Sequence, residues 1–112
     1  MSAQNAKDAA DEFVAQLRLP PESSGRKFQL VTFAREEDCR FFYPRRALDF
    51  HRQMNTYISR ALRERFKVRV QRIAIAPADY RQWLAADIDR IDMPAMRRQF
   101  ADAHLRLILP AE

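Results

Sequence analysis

Between residues 45 and 66, Ala47, Phe50, Met54, Tyr57, Ile58, Ala61 and Leu62 fall on one face when each residue turns a helix by about 100°. This spacing predicts a helix of about six turns with an apolar stripe that needs a partner layer. The flanking stretches can supply that layer. "KFQLVTFA" (27–34) is rich in aromatic and β-branched residues and reads as a strand. "REED" reads as a polar turn and "CRFFYP" (39–44) as a second strand stopped by Pro44, so the two strands suggest a hairpin. "KVRVQRIAIA" (67–76) alternates charged and apolar residues at its start, as a strand with one wet face does.

Elsewhere the helical period returns. Ala6, Ala9, Ala10, Phe13, Val14 and Leu17 predict a helix over 4–18, and "LPPESSG" (19–25) ends it with a linker or turn. Pro77 suits the first position of another helix, with Tyr80, Trp83, Leu84 and Ile88 inward. Asp92 is placed to cap a last helix over 93–106, while "LRLIL" (105–109) also fits a short strand. The chain of 112 residues thus predicts one α+β domain. Its sheet would be small and three-stranded, a hairpin plus one strand after the long helix, covered on one face by about four helices. Residues 1–18 would be a docking helix or arm, and Phe13, Val14 and Leu17 would offer a surface for a homodimer.

Charge is distributed unevenly. Residues 40–72 hold ten basic and two acidic side chains, net +8, whereas the whole chain is +5. Such asymmetry is the usual footprint of an anionic partner. On the predicted long helix, Arg45, Arg52, Thr56, Ser59 and Arg63 lie within about 60° of one another, opposite the apolar stripe, and Arg60 flanks them. Lys67 and Arg69 continue the charge onto the following strand. Guanidinium groups supply charge and short hydroxyls supply close hydrogen bonds, a combination that suits a phosphate backbone. The plainer account is a solvated face with Asp49–Arg52 and Glu64–Arg60 as ordinary helix pairs. Exposed aromatics among Phe41, Phe42 and Tyr43 would add base stacking, though burial of all three under helices is the favoured account.

Other functions lack material. One glycine, Gly25, cannot build a phosphate-binding loop or a dinucleotide fingerprint. One cysteine and two histidines cannot make a structural zinc site, and neither Glu36–Glu37–Asp38 nor Asp87, Asp89 and Asp92 fits a calcium loop. Cys39 and His51 are the one thiol–imidazole pairing near each other in sequence, with nothing to join them as nucleophile and base. The last two predicted helices, with Arg97 and Arg98, have too long a connection for a helix-turn-helix. No stretch of 18 apolar residues or leader peptide is present, so no membrane partner and a cytoplasmic location are expected.

The sequence therefore predicts a small non-enzymatic nucleic-acid-binding protein, with no catalytic residues, no metal and no cofactor, and no choice between DNA and RNA. The alternative is a protein-interaction module, an accessory subunit or inhibitor, that sets the same basic face on an acidic protein surface.

Overall fold

The computed structural model describes residues 5–108. Along these residues run α1 (Ala6–Gln16), a 3-10 turn (Pro21–Ser23), β1 (Lys27–Thr32), α2 (Glu36–Phe42), α3 (Leu48–Phe66), β2 (Arg69–Ala74), α4 (Pro77–Ala85), α5 (Pro94–Asp102) and β3 (Arg106–Ile108). The fold is α+β, with a three-stranded mixed sheet in the order β2-β1-β3. β1 pairs with β2 in parallel, from Lys27 opposite Arg69 to Thr32 opposite Ala74. It pairs with β3 antiparallel, from Lys27 opposite Ile108 to Gln29 opposite Arg106.

The predicted hairpin is not present. Residues 39–42 belong to α2, and the chain after β1 crosses through α2 and α3 before returning as a parallel neighbour. A parallel pair requires such a crossover. The aromatic run at 41–43 imitates a strand, but "REED" supplies the opposite signal. Glu36, Glu37 and Asp38 occupy the first turn of α2 and Arg40 its last, as the helix dipole favours. Cys39 and Phe42, three residues apart, then share a fully buried face.

Helices cover both faces of the sheet rather than one. Phe28 and Leu30 of β1, with Val70 and Leu107, pack against Ala10 and Val14 of α1 and Ile58 and Leu62 of α3. Val31, Phe33, Ile73 and Ile75 pack against Phe42 of α2, Tyr80 of α4 and Phe100 of α5. Alternation along β1 separates the two sets. The near-continuous apolar run of β1 follows from this double cover.

α1 is docked on α3, not a free arm. Val14 is buried, and Phe13 meets Phe28 edge to face at 6.4 Å between centroids. The face expected to receive a second copy is occupied within the chain. At the other end, α5 is shorter than expected and its N-cap is Met93. Asp92 instead accepts hydrogen bonds from the Tyr80 hydroxyl at 2.8 Å and from Arg97 Nε and Nη2 at 2.9 Å. These donors hold its carboxyl down to about 2, the Arg97 contact contributing most. The helix ends at Asp102, and the alternative expectation of a short strand within 105–109 is met by β3 (Arg106–Ile108). Residue 109 of that predicted strand lies outside the described residues.

The buried face of α3 is rotated from the predicted stripe. Leu48, His51, Asn55, Ile58, Ser59 and Leu62 are buried, while Ala47 (just before the helix), Phe50, Met54, Tyr57 and Ala61 are half-buried. Three polar residues therefore sit where an apolar count would not put them. Two of them have a shared purpose: the Val31 carbonyl, two residues beyond the β1–β3 ladder, lies 2.6 Å from His51 Nε2 and accepts from Asn55 Nδ2 at 2.8 Å. A buried carbonyl without a strand partner needs such donors.

His51 makes a second contact, 3.1 Å from Nδ1 to Arg46 Nη1. A neutral ring satisfies both, donating from Nε2 to Val31 and accepting at Nδ1 from Arg46. Burial, the main cause, pushes the imidazole down from 6.5 to about 4. The unfolded chain then binds more protons between those values, so stability is full above about 6.5 and falls as pH drops towards 4. The expected loss between pH 7 and pH 5 is about 2 kcal/mol. Urea unfolding at the two pH values checks this. His51→Gln should flatten the dependence, and equal wild-type stability at both would contradict a neutral buried ring.

Candidate nucleic-acid interface

The exposed side of the C-terminal half of α3 faces away from the core and meets the edge strand β2. Edge strands that carry cations resist unwanted strand pairing, and β2 carries Arg69 and Arg72. Strand alternation turns Arg72 towards the α3 side and Arg69 to the other. Arg72 Nη2 donates to Ser59 Oγ at 3.4 Å. Thr56, Ser59, Arg60, Arg63, Glu64 and Arg72 thereby line a groove of about 370 Å³. Three guanidinium groups and one carboxylate give it a formal charge of +2.

The remaining predicted site residues are placed differently. Arg52 and Thr56 are exposed on α3, and the Thr56 hydroxyl donates to the Arg52 carbonyl at 3.1 Å. Ser59 is 2% exposed, so it belongs to the groove floor rather than the outer stripe. Arg45 precedes the helix, in the turn after α2, and lines a different cavity. Lys67 caps α3 in the left-handed conformation with φ 56°, exposed, and its carbonyl accepts from the Gly25 N–H at 2.9 Å. Arg69 directs Nε and Nη2 to the Gly25 carbonyl at 3.4 and 3.2 Å. The structure thus gathers Thr56, Ser59, Arg60 and Arg63, and sets Arg45, Lys67 and Arg69 at other points of the surface.

Arg72 completes the groove. In sequence it trails Lys67 and Arg69, but its even register with Val68 and Val70 turns it onto the helix side of the strand.

Direct ion pairing leaves this region alone. Among the described residues, the ion pairs join Lys7, Arg35, Arg40, Arg90, Arg97 and Arg98 to carboxylates, and none uses a cation from 45 to 72. The expected Asp49–Arg52 and Glu64–Arg60 pairs do not form. Glu36 is engaged elsewhere, accepting from the Leu48 N–H at 2.7 Å and from Arg40 Nε at 2.9 Å, and both hold its carboxyl below the usual range.

The aromatic run offers little to a base. Phe42 and Tyr43 are buried, and Phe41 carries the Arg97 guanidinium 4.1 Å above its ring. Cys39 is fully buried, its thiol pushed up to about 11 chiefly by burial, and it donates to the Arg46 carbonyl at 3.5 Å. The acidic clusters are tied into local contacts, Glu37 and Asp38 with Arg35, Asp92 with Arg97 and Tyr80. No group of three potential metal ligands gathers among the described residues. None of the described helices is long and apolar enough to cross a membrane.

Comparison with protein-family models, curated proteins and solved structures finds no match.

Proposed function

We infer that this protein binds nucleic acid through the α3–β2 groove, without catalysis. The observation that carries this reading is the convergence of Arg60, Arg63 and Arg72 on Thr56 and Ser59, with no carboxylate among the described residues paired to any of the three. Guanidinium groups grip phosphate oxygens in a bidentate fork, and hydroxyls add short hydrogen bonds. Arg52, exposed on α3, extends the track along the helix, while Lys67 and Arg69 lie outside it. Phosphate contacts of this kind fix position without reading bases, so the binding is sequence-tolerant.

The test is fluorescence anisotropy with labelled single- and double-stranded DNA and RNA at several salt concentrations. Four to six neutralised phosphates give log affinity for duplex DNA a slope of about −4 to −5 against log salt. Binding that ignores salt would remove this reading.

A second reading has one observation of its own. The α4–α5 connection exposes Ile88 (97%), Ile91 (66%) and Met93 (46%). Such side chains suit a protein partner better than a polyanion. An accessory subunit or inhibitor would join them to the basic face on an acidic protein. Pull-downs with and without nuclease discriminate: partners that survive nuclease favour this second reading.

A further inference from the structure

A larger cavity, about 720 Å³, opens between the turn after α2 and the start of α5. Its volume lies within the range of small-molecule sites. Tyr43, Arg45, Arg46, Phe50, Pro94 and Arg98 line it. Arg46 is the unusual member. Its guanidinium is half-buried, lies 4.2 Å from the Tyr43 ring centroid and contacts His51, and among the described residues no carboxylate lies within ion-pair distance of it. Burial, its largest influence, lowers the pKa of that group. Arg98 reaches the same ring at 5.8 Å from the other helix, and Arg45 stands exposed at the rim.

Among the described residues, one carboxylate forms an ion pair with these cations. Asp102 lies 3.8 Å from Arg98 Nε, but it already accepts the Tyr43 hydroxyl at 2.7 Å. Three guanidinium groups against one carboxylate leave +2, the charge a phosphate monoester dianion would balance. One helix beginning adds to this field. Pro94 and Ala95 open α5, which has no side-chain cap, whereas the first N–H of α3, that of Leu48, is already taken by the Glu36 carboxylate. The partial positive end of α5 favours an anion. The wall formed by Phe50, Pro94 and neighbouring alanines is apolar and suits a planar ring.

We propose that this cavity binds a 5′-nucleotide, its phosphate held by Arg45, Arg46 and Arg98 and its base laid on the Phe50–Pro94 wall. The nucleotide is either free or the phosphorylated end of a strand. This site is separate from the α3–β2 groove and stands or falls independently of it.

Calorimetric titration of the full chain with adenosine 5′-monophosphate, adenosine and inorganic phosphate tests the assignment. The monophosphate should bind at least about tenfold tighter than either fragment, since each lacks one of the two contacts. Arg45→Gln with Arg98→Gln, both on exposed side chains, should weaken it at least about tenfold with an unchanged melting temperature. Arg60→Glu with Arg63→Glu should leave it unaffected. Equal binding of monophosphate and adenosine, equal binding of monophosphate and inorganic phosphate, or full binding by the Arg45/Arg98 variant overturns the proposal. Oligonucleotides with and without a 5′-phosphate then separate the sources. A tenfold preference for the phosphorylated strand assigns the strand end, and its absence alongside monophosphate binding assigns the free nucleotide.

Discussion

Arg60→Glu combined with Arg63→Glu should weaken nucleic-acid binding about 100-fold near 0.1 M salt. Each phosphate contact on duplex DNA carries a slope of about 0.9 in log affinity against log salt, so two lost contacts remove close to two decades at that concentration. Reversal rather than neutralisation adds repulsion on top. The salt slope should fall in magnitude by about two. Both side chains are exposed on α3 and form no ion pair with a described residue, so melting should shift by less than about 0.5 kcal/mol in stability terms. Anisotropy and thermal melting of the same preparation separate the two effects. A variant that binds as wild type would show that the groove is not the contact surface. A variant that unfolds would show that these arginines support the helix.

The second large effect is on the core. Phe42→Ala should cost about 3–5 kcal/mol. Phe42 is fully buried at the centre of the α2–α4–α5 layer. Its ring stacks on Phe33 at 5.7 Å and on Phe100 at 5.9 Å, and meets Phe41 and Tyr80 edge-on at 5.0 and 6.3 Å. Small domains have about 5–15 kcal/mol of total stability, so the variant would sit near the unfolding threshold. Phe50→Ala makes the matched comparison. Phe50 was expected at the core by helical count, but it is half-buried on the wall of the larger cavity. Its truncation should cost well under half as much. Urea midpoints of the two variants measure the difference, and equal costs would contradict the burial pattern of α3.

The errors of sequence reading at α2 and α3 share one origin. At 39–44, three consecutive aromatics carry strong strand propensity, and only burial against α4 and α5 shows that a helix packs them better. On α3, the polar residues His51, Asn55 and Ser59 face inward because the Val31 carbonyl and Arg72 need partners there. Residue type cannot announce such a role, since the partner comes from a distant strand. Arg45 followed the helical wheel on paper, but the helix begins at Leu48 and leaves it beside a separate cavity.

Composition and periodicity alone determined the α+β class, the long central helix, the strands β1 and β2, and the concentration of positive charge in 40–72. Those features depend on local spacing and on counting, which a single chain carries in full. Tertiary structure decided the parallel pairing of β1 with β2, the second helical layer, and the division of the arginines between a groove and a cavity. Each of those depends on which distant residues meet, and charge density along a chain does not specify where in space the charges converge.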